Sequence, residues 1–145
     1  MLKYGSQVEI DRPPADVFRY LVEPAKQALW SDVPMTRLTE GEMRTGSRFE
    51  VSFGKGPLKA TLGIELAEVV PGSLMAWKSY SGPIDWQGEY RLEALEGGGC
   101  RLSQAGKLEF HGMWRLLEPM AGREIESGEI KELEKLKSIA ESAPE

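Results

Sequence analysis

Leu58, Ala60, Leu62, Ile64 and Leu66 alternate with Lys59, Thr61, Gly63 and Glu65, a period of two that suits a strand with one dry face. The same period governs most of residues 35–110, with Gly and Pro at the joints. Residues 36–39 form a weak strand. Phe49, Val51 and Phe53 share a face before Gly54-Lys55-Gly56-Pro57 turns the chain, and Pro71-Gly72 leads into a strand over residues 74–80. Beyond Gly82-Pro83, Trp86, Gly88, Tyr90, Leu92 and Ala94 oppose Gln87, Glu89, Arg91 and Glu93. Gly97-Gly98-Gly99 closes a hairpin, and the last strand sets Leu102, Gln104, Gly106, Leu108 and Phe110 against Arg101, Ser103, Lys107 and Glu109.

Helical patterns flank this β-rich stretch. Residues 4–10 read as a first strand, with Val8 and Ile10 on one side. Asp11 can then cap a helix that Pro14 opens, and Val17, Phe18 and Leu21 give it an apolar stripe ending near Val22. Glu23-Pro24 starts a second short helix through Ala25, Ala28, Leu29 and Trp30. A long C-terminal helix carries Met113, Leu116, Leu117 and Met120, then Ile125, Leu133 and Leu136. At 100° per residue these two sets fall on opposite sides of a straight helix. Pro119, Gly122 and Gly128 offer a break that realigns them; the other reading is a two-sided helix with one face for the interior and one for a partner subunit, as in a homodimer.

The order is strand, two short helices, about six antiparallel strands, long helix. Seven strands at about 4.8 Å make a sheet about 34 Å wide, whereas one helix with its side chains is about 10–12 Å across. The sheet must therefore curl around the helix, and Gly88 and Gly106 on its inner face suit such bends. An α+β architecture is predicted: a curved antiparallel sheet of about seven strands around a long C-terminal helix, with an apolar space wherever helix and side chains do not fill the cradle.

Composition narrows the functional classes. The 145 residues fit a single domain over residues 1–145. One Cys excludes an intrachain disulfide, and one His with one Cys cannot build a Cys/His zinc site, so neither a metal nor another cofactor is expected. A net charge of -5 is the wrong sign for a nucleic-acid binder. No stretch approaches the about 20 apolar residues that span a bilayer, and residues 1–5 open no signal peptide, so a cytoplasmic protein without stable membrane insertion is expected.

Ile10-Asp11-Arg12-Pro13-Pro14-Ala15-Asp16-Val17-Phe18 resembles the opening of the START-like (SRPBCC) superfamily, particularly its polyketide cyclase/dehydrase-like branch. Trp30 matches the tryptophan after the second helix. Gly88-Glu89-Tyr90-Arg91-Leu92, the Gly97–Gly99 turn before Cys100-Arg101-Leu102, and Leu133-Glu134-Lys135-Leu136-Lys137 match its later strands and final helix. The resemblance runs along nearly the whole chain and implies the helix-grip fold around a hydrophobic pocket. It implies no one activity, because the superfamily holds both carriers and cyclases.

The expected function is binding of a hydrophobic small molecule, a lipid, isoprenoid or aromatic compound, between sheet and C-terminal helix. The alternative is a polyketide cyclase/dehydrase-type enzyme using the same cavity. Trp86, Tyr90, Gln104 and Phe110, with Phe49 and Leu62, are the inward residues assigned to the pocket, and Met113 and Met120 are assigned to it from the helix. Each has a plainer reading as core packing. Gln104 stands out, since an amide among Leu102, Gly106 and Leu108 must find a partner in a ligand, a water or Tyr90. Tyr90, Asp85 and His111 are the candidates for moving a proton. His111 and Cys100 lie at opposite ends of one strand, about 36 Å apart at about 3.3 Å per residue, which excludes a Cys–His dyad. Glu89 reads as a solvated partner of Arg91, and Trp114 as a cover for the cavity mouth or a contact with a neighbouring subunit.

Overall fold

The structure, a computed structural model, describes residues 1–31, 33, 35–53 and 59–143, without the side chains of 53 and 124–130. Strand β1 (Leu2–Ile10) leads through Pro13 to helix α1 (Pro14–Val22) and the single-turn α2 (Pro24–Gln27). Strands β2 (Thr36–Arg37), β3 (Arg48–Phe53), β4 (Ala60–Val70), β5 (Leu74–Ser81), β6 (Ile84–Ala94) and β7 (Cys100–Phe110) follow. A 3-10 segment, Gly112–Leu117, then runs into helix α3, Glu118–Ser142. Leu58 and the Gly54-Lys55-Gly56 turn lie outside the described residues.

All seven strands form one antiparallel sheet in the order β1-β7-β6-β5-β4-β3-β2. The first strand therefore pairs with the last, and each other strand pairs with its neighbour in sequence. This is the α+β arrangement expected from the alternation and the terminal helix. The outer face carries the polar half of that alternation. Arg101 lies between its register partners Glu9 and Glu93 and contacts both carboxylates, and Arg48 meets its partner Glu65 at 3.2 Å. Glu89 pairs with Arg91 at 3.0 Å on the solvent side, as its position on the strand predicts. Such exposed pairs add little stability, and opposite charges on facing strands favour this register over its alternatives. Register shifts between Gly63 and Ile64 and between Leu66 and Glu68 break the β4–β5 ladder, and irregularities of this kind bend and twist a strand.

The inner face is dry. Leu62, Ile64, Leu66, Cys100 and Leu102 from the sheet join Val17 and Leu21 from α1 and Leu133, Leu136 and Ala140 from α3 in one core. Helix α3 lies along β1. Its Gly122 sits so close to Leu2 that a Cβ there would be 3.0 Å from Leu2 Cδ2, and Lys137 Nζ donates to the Glu9 carbonyl at 2.6 Å. The 15 residues from Gly122 to Lys137 rise about 22 Å as helix, and the 7 from Leu2 to Glu9 span about 23 Å as strand. Helix and strand thus keep step, so α3 covers the β1 side of the sheet and leaves much of β4–β6 to other side chains.

Three expectations for the helices are corrected. The N-cap of α1 is Pro13 without a side-chain cap, and the Asp11 N–H instead donates to Glu141 Oε2 at 2.8 Å. Helix α3 passes through Gly122 and Gly128 without interruption; the break comes earlier, where 3-10 gives way to α at Glu118 and Pro119 occupies the first turn, the position at which its missing N–H costs nothing. Met113 and Met120 do not face a cavity, being 80% and 64% exposed. Met113 belongs to the 3-10 segment, whose angular period differs from that of the helix, while Met120 lies within α3, about 160° around the helix from Leu136, and so faces away from the core. Trp114, from the same segment, turns inward and packs against the core rather than standing clear of it.

Candidate functional site

The register places four residues in one row across four strands: Trp77 on β5, Gly88 on β6, Gly106 on β7 and Tyr4 on β1. All four are on the inner face. The two central members have no side chain, and the two outer ones lean into the space this leaves. A Cβ on Gly88 would stand 2.5 Å from Trp77 Cζ2, and one on Gly106 would collide with the Tyr4 ring. The glycines expected to bend the sheet sit in continuous register, and their bare backbone lets aromatic rings lie directly on the strands.

The flanking rows complete a line of rings. Trp86, one row along on β6, donates its Nε1–H to the Tyr4 hydroxyl at 2.7 Å, a bond that passes over β7 at the bare Gly106. Trp86 meets Trp77 edge to face with centroids 5.3 Å apart, Trp77 meets Tyr90 at 4.9 Å, and Tyr90 meets Trp30 edge-on at 6.2 Å. Trp30 is anchored by its Nε1–H to the Tyr20 carbonyl at 2.8 Å, which ties the line to α1. Trp86 and Tyr90 are half-buried; Trp77 and Trp30 are buried. Trp77 Nε1 is buried with no hydrogen-bond partner among the described residues, a condition that ordinarily costs about 1–3 kcal/mol.

On the opposite face, Asp85 and Glu109 are register partners, and His111 follows two residues after Glu109. His111 Nε2 and Asp85 Oδ2 are 2.7 Å apart, and the ligand atoms of all three side chains lie within 4.8 Å of one another. All three are exposed. Alternation along β6 sends Asp85 to the side away from Trp86, so this pair lies across the sheet from the aromatic line.

A model of the family described as "Polyketide cyclase / dehydrase and lipid transport" matches residues 1–141. The chain belongs to that family. Solved structures with this fold include the Zhui aromatase/cyclase from Streptomyces sp. R1128, at TM-score 0.76 and 14% identity over 96% of this chain and 93% of that one. TTHA0849 from Thermus thermophilus gives TM-score 0.76 at 17% identity, covering 97% and 99%. CV1439 from Chromobacterium violaceum gives 0.70 at 20% identity, covering 99% and 100%. At these identities the likeness is one of fold: the helix grip of the cyclase/dehydrase family. No curated protein matches the chain in sequence.

Within this cyclase/dehydrase-family fold, the residues singled out in the sequence separate into groups. Trp86 and Tyr90 are on the inner face and in the aromatic line, while Phe49, Leu62 and Phe110 are buried in the core. Gln104 is buried as expected, but its partner is none of those considered: Nε2 donates to Ser6 Oγ at 3.2 Å on the neighbouring strand. The three candidates for proton transfer are not brought together, because Tyr90 faces inward while Asp85 and His111 pair outside. Cys100 is fully buried at the far end of β7 from His111, and burial pushes its thiol up to about 11. Trp77, Tyr4 and Ser6 went unnoticed in the sequence. Their signal is relational: Gly88 and Gly106 become a shared trough only once β6 and β7 are in register. Among the described residues, no helix is long and apolar enough to cross a membrane.

Proposed function

We propose that this cyclase/dehydrase-family protein binds a hydrophobic small molecule, a lipid, isoprenoid or aromatic compound, against the inner-face aromatic line. The observation that supports this most is the Tyr4–Trp86–Trp77–Tyr90–Trp30 series over the Gly88–Gly106 trough. Rings supply broad apolar contact with little side-chain entropy to lose, and each Å² of apolar ligand surface buried contributes about 25 cal/mol. The half-buried state of Trp86 and Tyr90 gives a guest something to cover. Native mass spectrometry of the purified protein before and after organic extraction tests this. The expected result is an additional small mass that extraction removes and that quenches tryptophan emission when added back. A protein that carries no such mass and whose emission is unmoved by any apolar compound would overturn it.

A cyclase/dehydrase-type reaction on the same surface is the second reading, favoured by the family and by the fold shared with an aromatase/cyclase. Tyr90 is then the proton-carrying group to examine, since Asp85 and His111 face away. Under that reading Tyr90→Phe keeps the affinity for a polyketide chain and loses its conversion; equal conversion by the variant removes Tyr90 from the chemistry.

A further inference from the structure

On the outer face, where β7 gives way to the 3-10 segment, three donor side chains converge. Asp85 and Glu109 are direct register partners, and His111 follows Glu109 by two residues with extended backbone (φ -116°, ψ 152°), which keeps it on the same side. The backbone that carries them is held from several directions. Ile84 and Phe110, register partners between Glu109 and His111, are buried on the opposite face. The His111 N–H donates to the Pro83 carbonyl at 3.1 Å, and the His111 carbonyl accepts from the Trp114 N–H at 3.2 Å. His111 Nε2 lies 2.7 Å from Asp85 Oδ2, and the ligand atoms of the three exposed side chains are all within 4.8 Å of one another.

Like charges directly opposite on neighbouring strands repel, and a cation between them turns that cost into attraction. The fold's own lysines and arginines do not supply it. Asp85 pairs with His111, Glu109 has no ion pair among the described residues, and Lys107 with its register partner Lys3, one outer-face row along, bridges to neither carboxylate. One His and one Cys cannot make a Cys/His zinc site, but one imidazole nitrogen with two carboxylate oxygens suits a borderline d-block ion and leaves coordination positions for water. Mg²⁺ and Ca²⁺ take oxygen donors and gain nothing from the imidazole. Tetrahedral donors at about 2.0–2.2 Å from such an ion stand about 3.4 Å apart, so small turns of exposed side chains complete the set.

We propose that Asp85, Glu109 and His111 form a site for a divalent d-block cation of the Zn²⁺ class, on the face of the sheet away from the aromatic line. The bound ion ties the start of β6 to the residue from which the 3-10 segment departs, and so fixes the root of the C-terminal segment. The site goes beyond the binding reading above and does not depend on it.

The untagged full chain is titrated with Zn²⁺, and with Mg²⁺ in parallel, by calorimetry, while ¹H–¹⁵N NMR follows the imidazole. His111 is the one histidine in the sequence, so its ring signals need no further assignment, and Cys100 is buried and does not compete. The expected result is one Zn²⁺ per chain, a shift of the His111 ring nitrogens, and a rise in melting temperature with Zn²⁺ concentration, none of which Mg²⁺ reproduces. Glu109→Gln is the sharpest variant, because it leaves the His111–Asp85 contact in place; it is expected to weaken Zn²⁺ at least about tenfold. Glu93→Gln, which removes an exposed outer-face carboxylate paired with Arg101, should leave the affinity unchanged. No Zn²⁺ binding up to about 1 mM, a His111 ring that does not respond, equal binding of Mg²⁺, or undiminished affinity in Glu109→Gln would each overturn the site. All three ligands are exposed, so the variants are expected to fold, and the wild-type imidazole signal reads the outcome even where one does not.

Discussion

Two glycines in similar strands have opposite duties, and substitution separates them. Gly88 lies under the Trp77 ring, where a methyl group would be 2.5 Å from Cζ2 and 3.1 Å from the Ala105 carbonyl oxygen. Gly5, exposed on β1, would place a methyl in ordinary contact, 3.4 Å from the Gln104 carbonyl oxygen. Gly88→Ala must push the indole off the sheet, so it is expected to lose about 1–3 kcal/mol by urea unfolding and to alter tryptophan emission. Gly5→Ala is expected to be neutral or slightly stabilising, because a strand residue other than glycine loses less backbone entropy on folding. Equal effects of the two would mean that the Trp77 ring is free to move. Gln104 teaches the same lesson from the polar side. Its need for a partner is visible from its apolar neighbours on the strand, but Ser6, nearly a hundred positions away, becomes that partner only through the β1–β7 register.

Among the elements, α3 shows how a covalently continuous stretch divides its work. Leu133, Leu136 and Ala140 are buried, a spacing of three and four that belongs to one face of an α-helix packed along β1 and α1. The 3-10 segment before it leaves Leu116 84% exposed. Leu136→Ala therefore opens a cavity under the helix and is expected to cost about 2–5 kcal/mol, whereas Leu116→Ala should stay within about 0.5 kcal/mol. Thermal unfolding of the two variants side by side checks this, and comparable losses would show that the 3-10 stripe is covered in solution. The apolar repeat at Met113, Leu116, Leu117 and Met120 has helical spacing and no helical role. A pattern read from the sequence reports which residues could share a face, and the local screw of the backbone decides whether they do.

For the molecule as a whole, the final turn of α3 is stitched to the β1–α1 junction, close to the other end of the chain. Glu141 Oε2 accepts from the Lys137 ammonium and the Asp11 N–H, each at 2.8 Å, while the Arg12 guanidinium donates to the Glu141 carbonyl at 2.5 Å and the Ala143 carbonyl at 3.3 Å. The Lys137 hydrogen bond, then the one from Asp11, hold the Glu141 carboxyl below its ordinary value. Folding thus favours the ionised form. The stabilisation is fully present above the pKa of the unfolded carboxylate and is lost as pH falls through the lower folded value. Glu141→Gln is expected to melt below wild type at pH 7, and the gap should close as pH falls through the lowered folded value of the Glu141 carboxyl. A gap that persists in acid would assign the effect to shape rather than charge.

The sequence determined on its own the alternation of wet and dry faces, the strand count, the two short helices and the helical end, because these follow from spacing and turn residues within a few positions of one another. It also marked Trp86, Tyr90 and Gln104 as inward. The Trp77–Gly88–Gly106–Tyr4 row, the Ser6 partner, the separation of Tyr90 from Asp85 and His111, and the exposure of Met113 and Met120 were decided by the tertiary structure. Each depends on which residue of one strand faces which residue of the next, or on where one helical screw replaces another, and neither is written in the periodicity of a single segment.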